Sequence, residues 1–263
     1  MIPEIKVKTA LSPSKLPGLD YALNPYRGCA HACVYCYAPS VIHWNGKWGE
    51  LVEVKVNLPR ILSKTLRTAK KGVVGLGTVT DPYQPAEEKY EITRRCLELL
   101  RLHDFPVCIM TKSALVLRDI DLLREFSNIE VGITLTLPDD RLREKLEPGA
   151  SSVEERLRAL RELREAGIDT WVFLGPLMPY ITDIEGLVDA VSEVKPKYVI
   201  VDRLRMKKGV WENVRRFVEE FYPQYLDEYV RIFVEGGEYY DEFLGNVQGM
   251  CGEKGLRCEV NFI

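Results

Sequence analysis

From residue 72 onward the chain repeats one pattern: a short run rich in β-branched and other apolar residues, a loop, then a stretch with the apolar period of an amphipathic helix. The apolar runs fall at residues 73–79, 107–111, 130–137, 170–174 and 198–201, and the helical stretches at 86–102, 117–126, 153–166, 184–194 and 211–221. Strict alternation of this kind restricts the fold to α/β architectures with parallel strands, because a chain that leaves a strand through a helix comes back in the same direction. With a further strand just before Cys29, six βα units are predicted. Right-handed crossovers curve six such strands into an incomplete (β/α)6 barrel, with a doubly wound open sheet as the alternative. Ser152 with Glu155 and Thr182 with Glu185 read as capping boxes, and Asn57 reads as the cap of a helix that has Pro59 in its first turn.

Outside the repeats, residues 1–20 carry Pro3, Pro13 and Pro17 and are predicted to form an extended strap. Residues 21–222 form the partial barrel in this reading, and the aromatic, acidic residues 223–263 form an extension that closes it. A chain of 263 residues with 46% hydrophobic content buries a full core. No stretch is apolar for the length of a membrane span, and the first residues lack the features of a secretory signal, so a cytoplasmic location and no membrane partner are expected. Seven cysteines, an odd number, fit a reducing compartment better than a disulfide framework. The net charge of -3 does not announce a nucleic-acid partner. Basic residues prevail in residues 1–120 and acidic ones in 121–263, a distribution read as ordinary solvated helix faces.

The stretch NPYRGCAHACVYCYA, residues 24–38, places Cys29, Cys33 and Cys36 in a C-x3-C-x2-C run. That spacing lets one short loop wrap three thiolates around a single inorganic centre. Zinc, with His31 as a fourth ligand, is one occupant, although structural zinc usually draws its ligands as two separated pairs. A four-iron cubane is the other, and three protein ligands leave one of its irons open to a chelating small molecule.

Active sites of sheets built from βα units lie at the carboxyl ends of the strands, and the polar residues of this chain gather there. The second predicted strand leads to Thr78, Thr80, Asp81, Tyr83, Gln84 and Glu87; the third to Thr111, Lys112 and Ser113; the fourth to Thr134, Thr136 and Glu147, with Arg156 on the following helix. The sixth leads to Arg203 and Arg205, which alternation sends to one side.

The cysteine loop resembles the signature of the radical S-adenosylmethionine (radical SAM) superfamily. TDPYQPxE, TKSxLxxRDIDLL and LEPG followed by RL are similar to the spore photolyase-like, or DNA repair photolyase, branch, over roughly residues 20–205. The resemblance implies a [4Fe-4S] cluster on Cys29, Cys33 and Cys36, S-adenosylmethionine on the open iron, its cleavage to a 5'-deoxyadenosyl radical, and an external electron donor such as flavodoxin or ferredoxin. It implies that Tyr35 lies beside the adenine and that Lys112, Thr80 and Thr134 contact S-adenosylmethionine, with Thr78, Asp81, Thr136 and Arg156 as further cofactor-binding candidates. It also points to a nucleic-acid or nucleotide substrate, and to repair of pyrimidine dimers in DNA as one activity. Spore photolyase, however, returns a hydrogen atom from a cysteine near the end of its second strand, where this chain has Gly77, Thr78, Val79 and Thr80. Tyr83 and Tyr37 are the candidate donors in its place. The competing class is a non-catalytic metal-binding module, which has no use for polar groups converging on an open iron. Cys96, Cys108, Cys251 and Cys258 are read as buried thiols and not as a second cluster.

Overall fold

The computed structural model describes residues 2–260 of the chain. Eight strands make one sheet: β1 (Ser12–Pro13), β2 (Tyr21–Leu23), β3 (Val74–Leu76), β4 (Val107–Thr111), β5 (Ile129–Leu135), β6 (Asp169–Leu177), β7 (Tyr198–Arg203) and β8 (Cys258–Val260). Sequence neighbours are spatial neighbours along the whole sheet; β2 to β8 run parallel, and β1 pairs antiparallel with β2. A doubly wound sheet reverses its strand order at a switch point. This one never does, which leaves the barrel type of winding, open at both edges among the described residues. The six predicted parallel strands are β2 to β7. The seventh, β8, lies in the segment that the sequence reads as a closing extension, and its described part instead lengthens the sheet beyond β7.

The strap is extended as predicted, and Glu4–Ile5 joins Glu53–Lys55 and Tyr26–Arg27 in a small second sheet. Asn57 precedes helix α1 (Leu58–Leu66), yet its side chain does not cap it. Its amide bonds the backbone of Val7 in both directions, at 2.8 and 2.9 Å, and so fixes the strap. The predicted helix 86–102 is broken. A short turn of helix, Ala86–Tyr90, ends at Glu91 in the left-handed region (φ 48°), and α2 (Ile92–Leu102) starts anew. The reason is Glu87, which is buried and whose carboxylate accepts from the N–H groups of Thr93 and Arg94, satisfying orphan donors at the positive end of α2. Where a helix over 117–126 is predicted, a 3-10 turn (Ala114–Asp119) and one short α turn (Ile120–Leu123) stand. A helix not foreseen, α3 (Asp140–Leu146), follows β5 and is capped by Asp139.

The Ser152–Glu155 capping box opens α4 (Val153–Glu165) as expected. Thr182 does not cap α5 (Ile184–Val194); Asp183 does, and the Thr182 hydroxyl accepts from the N–H of Met178 instead. α6 (Val210–Phe221), α7 (Leu226–Phe233) and α8 (Tyr240–Glu253) complete the chain before β8.

Burial alternates along the central strands, fully then partly buried on β4 and β7. Val107, Ile109, Val131, Ile133, Val172, Leu174, Val199 and Val201 belong to the fully buried set, with α4 packed on β5 and β6 and α8 on β7. The alternate residues, including Met110, Lys112, Thr134, Phe173, Ile200 and Asp202, therefore line the other, concave face.

Glu87 also accepts from the Tyr26 hydroxyl and pairs with Arg118 at 2.9 Å. Replacing it by Ala leaves these donors unanswered in the core and should cost about 3–5 kcal/mol in urea unfolding. Tyr26→Phe removes one bond to a charged acceptor and should cost about 1.5–3 kcal/mol. Equal, small losses for the two would mean that the carboxylate is not the hub.

Candidate functional site

The cysteine loop begins where the chain leaves the small sheet after Arg27. Tight turns fold it, with the N–H of Cys36 donating to Cys33 O at 3.1 Å and that of Ala32 to Cys29 O at 3.4 Å. Cys29, Cys33 and Cys36 are all free thiols, the first two buried and the third half-buried. Burial pushes the Cys29 thiol up to about 12, with Asp81 and Cys36 adding to the effect. Burial likewise raises Cys33 and Cys36, each opposed in part by the nearby Lys112 ammonium. Thiols of this kind hold their protons until a metal takes the place of the proton. Backbone N–H groups of His31 and Asp81 act on the Cys29 sulfur, and that of Ala38 on Cys36, which suits thiolate ligands of an iron-sulfur centre.

Two buried anchors hold the loop against the strand ends. The first is Asp81, whose carboxylate lies 3.3 Å from His31 Nδ1 and accepts from the Thr111 hydroxyl at 2.6 Å and the Lys112 N–H at 2.8 Å. Burial alone would raise its pKa, but these partners, His31 foremost, hold it down at about 2. The second is Glu147, which accepts from the Tyr35 hydroxyl, from Thr136 Oγ1 at 3.1 Å and from Arg156 at 2.6 Å. Around them Gln84 accepts from the N–H of Ala30, Thr80 donates to Gly28 O at 2.6 Å, the N–H of Val34 donates to Leu146 O, and that of Gly149 donates to His31 O. Gly149 permits this approach, since a Cβ there would stand 2.1 Å from Ala30 O.

These contacts sort the predicted residues into two groups. Asp81, Thr80, Thr136 and Arg156, read as cofactor contacts, are turned inward: the first two hold the cysteine loop, and the last two hold Glu147. Arg156 is fully buried and bonds Glu147, Thr134 O and Ser151 O. Tyr35 is also buried, its hydroxyl on Glu147. Thr78 exchanges bonds with the Asn24 amide. Tyr83 has no exposed surface and its hydroxyl donates to Asp119 at 3.2 Å, so it cannot reach a molecule bound at the strand ends and is withdrawn as a hydrogen donor.

The side chains of Lys112, Thr134 and Tyr37 do not bond the two carboxylate anchors. Lys112 has no ion-pair partner among the described residues; its ammonium sits 5.7 Å from the centre of the Tyr35 ring. Burial would lower its pKa, but Cys33, Glu147 and Asp81 outweigh that and raise it, so the ammonium stays charged. Thr134 Oγ1 is buried with no hydrogen-bond partner. Buried hydroxyls left that way are rare in folded proteins. Tyr37 is 40% exposed, its hydroxyl donating to Thr78 O at 2.6 Å.

Asp202, on the concave face and close enough to Tyr37 to act on it electrostatically, was not singled out by the sequence reading, though the alternation of β7 marks its side. The register shifts between Val201 and Arg203, and Arg205 folds back onto Asp202 at 2.6 Å, so the two arginines do not share one side of a regular strand. His31, the fourth ligand of the zinc reading, is engaged by Asp81, and among the described residues no three His, Cys, Asp or Glu side chains are gathered as for a single ion. Of the other cysteines, Cys251 contacts Cys258, while Cys96 lies buried in α2 and Cys108 in β4 beside Trp171.

Residues 23–191 match the family model described as the Radical SAM superfamily. The chain is 36% identical over 225 residues to an uncharacterized protein of Methanocaldococcus jannaschii, covering 84% of this chain and 83% of that one. A radical SAM Nα-GlyT isomerase of Pseudomonas phage M6 is 27% identical over 219 residues, 81% of this chain and 45% of that protein. Among solved structures, a mutant spore photoproduct lyase with bound AdoMet and dinucleoside spore photoproduct shares the fold with a TM-score of 0.69 at 19% identity, covering 94% of this chain and 78% of that one.

If the anchors set the loop, loosening them should expose its thiols. Cys29 and Cys33 of the metal-free chain should react slowly with an aromatic disulfide, and Gly149→Ala or Gln84→Leu should speed that reaction several-fold with the circular dichroism unchanged. Unaltered thiol kinetics in both variants would mean that the loop holds its shape by itself.

Proposed function

Because the chain belongs to the radical SAM superfamily, whose model spans residues 23–191, we propose that it is an enzyme that takes a hydrogen atom from an organic substrate lying against the concave face of the sheet. Its cofactors are a [4Fe-4S] cluster and S-adenosylmethionine. When bound, they supply a 5'-deoxyadenosyl radical, formed as an electron from the cluster cleaves the sulfonium, and that electron comes from an external donor such as a flavodoxin or ferredoxin. Cys29, Cys33 and Cys36 hold the cluster, and no other cysteine of the chain is needed for it.

The observation that carries this reading is a pair of polar groups at the strand ends with no ion-pair or hydrogen-bond partner among the described residues: the Lys112 ammonium, which lies over the Tyr35 ring, and Thr134 Oγ1. A structural metal site needs neither. A charged cofactor with a carboxylate and several hydroxyls calls for both, on rigid strand ends. Lys112 is held from both sides, its N–H on Asp81 and its C=O accepting from Ser151, so its side chain starts from a fixed backbone. Lys112 neutralises the cofactor carboxylate in this reading, and Thr134 bonds one of its polar groups. Thr78, beside the cysteine loop, stays a weaker candidate because its hydroxyl already serves Asn24. Tyr37 is the one outward phenol of the two proposed donors, and burial keeps it protonated by raising its pKa.

The substrate belongs to a separate question. A nucleotide or nucleic acid is supported only by what the related spore photoproduct lyase binds, a dinucleoside spore photoproduct. Dimer repair is disfavoured by Thr78 and Thr80, hydroxyl residues where a thiol is needed, and by the net charge of -3.

Anaerobically reconstituted protein should carry four irons, and the Cys29→Ala, Cys33→Ala, Cys36→Ala triple variant none; one zinc and no iron in the parent would end the radical reading. Lys112→Ala should keep the cluster and lose S-adenosylmethionine affinity by about 2–5 kcal/mol, followed through the paramagnetic resonance of the reduced cluster. Thr80→Val should do the reverse, loosening the cluster more than the cofactor. The parent should release 5'-deoxyadenosine from S-adenosylmethionine yet leave dinucleotide thymine dimers intact, and clean reversal of those dimers would restore lyase activity as the first choice.

A further inference from the structure

The segment WNGKWG, residues 44–49, takes no part in the groups considered so far, yet it is pressed onto the cysteine loop at two points. A Cβ on Gly49 would lie 2.4 Å from Ala32 Cβ, and one on Gly28 would lie 2.5 Å from Leu51 O and 3.0 Å from the Trp44 ring. Both glycines have positive φ, 94° and 86°, so two positions have no side chain where the segments meet. The approach brings the Trp48 indole against Cys36. Its N–H is buried with no hydrogen-bond partner and lies close enough to the Cys36 sulfur to lower that thiol's pKa. Trp44 packs edge-on against the Trp48 ring at 5.6 Å, the Arg27 guanidinium caps Trp44 at 5.0 Å, and Glu53 holds Arg27 at 2.8 Å. Trp48 therefore sits in a fixed, layered cover on the cysteine loop.

We propose that Trp48 is a positioning residue of the metal centre whose indole N–H donates to the Cys36 sulfur once that sulfur is a cluster thiolate, and thereby favours the reduced cluster. The inference rests on the cluster assignment to Cys29, Cys33 and Cys36. An electron added to the cluster spreads negative charge onto its sulfurs, and a donor aimed at one of them stabilises the more negative state. Hydrogen bonds to the sulfurs and solvent exposure both set the reduction potential of such centres, and the indole changes the first while its ring limits the second. Trp44, whose N–H is also buried and unpartnered, serves as the internal control.

The test is a redox titration of the reconstituted cluster, without S-adenosylmethionine, followed by paramagnetic resonance. Trp48→Phe keeps an aromatic, though smaller, ring over the loop and removes the N–H donor. It should retain the iron and sulfide content of the parent and titrate at a more negative potential, with about tenfold less reduced cluster at a fixed potential, which is about 59 mV for one electron. Trp44→Phe should titrate with the parent. A Trp48→Phe potential equal to that of the parent overturns the inference and leaves the cluster assignment standing. A Trp48→Phe chain that folds but holds no cluster also overturns it, in favour of a role in assembly alone. A parent that takes up no iron fails at the assignment beneath, and the inference falls with it.

Discussion

A carboxylate with no exposed surface, that of Glu147, is the point on which the site depends. Burying an ion in a protein interior is unfavourable by several kcal/mol unless its lone pairs are all answered, and removing one partner of a buried pair is worse than never having made it. Glu147 meets that requirement through Arg156, Tyr35 and Thr136. Burial would raise its pKa; Arg156, followed by Lys112, brings it below the ordinary range instead, so it stays ionised. Because Tyr35 stands between Cys33 and Cys36, satisfying this one charge also sets where two of the three thiols lie relative to β5. A site arranged this way cannot drift gradually. Any shift of the loop leaves a buried charge or a buried phenol without its partner.

Asp81 does the same from β3 and β4, binding His31 of the loop on one side and the Thr111 hydroxyl and Lys112 N–H on the other. Two ionised carboxylates, Asp81 in the loop after β3 and Glu147 at the C-cap of α3, thus hold one loop. That explains why several residues that resemble cofactor contacts turn out to face the protein. The motifs TDPYQ and LEPG supply Thr80, Asp81, Gln84, Glu147 and Gly149, and every one of them touches the cysteine loop or a residue of it. Their side chains act on the chemistry through the position of the thiols.

The strand–helix alternation was legible because short apolar runs recur between stretches of helical period, and all six predicted strands are present as β2 to β7, although the helix after β4 is not. The errors came where a tertiary contact overrode a local signal. Nothing near residue 91 announces a break in helix 86–102; the cause is the Glu87 carboxylate, drawn inward by Arg118 and Tyr26 from distant segments. Thr182 carries a capping-box pattern, but its hydroxyl serves the turn after β6 and leaves the cap to Asp183. At the site, the clustering of three cysteines in one loop was legible from spacing. Which polar residues face in and which face out was not, since Arg156 and Lys112 have the same charge in sequence and differ only in whether Glu147 lies within reach. β8 went unseen because three residues are too few to show a period.

The depth of the concave face is itself fixed by packing. Trp171 stacks on Tyr198 with ring centres 5.8 Å apart and planes 9° from parallel, and the Tyr198 hydroxyl donates to Glu130 at 2.8 Å. Gly132 makes room for the indole, for a Cβ there would stand 2.2 Å from it. These residues fill the lower layer of the sheet's interior in the way side chains fill the layers of a barrel core. Above it stand polar groups, Lys112 after β4, Thr134 on β5 and Asp202 on β7, with Tyr37 close to Asp202. The aromatic pair lies beneath these groups and the cysteine loop at their edge, with the Lys112 ammonium near Cys33 and Cys36.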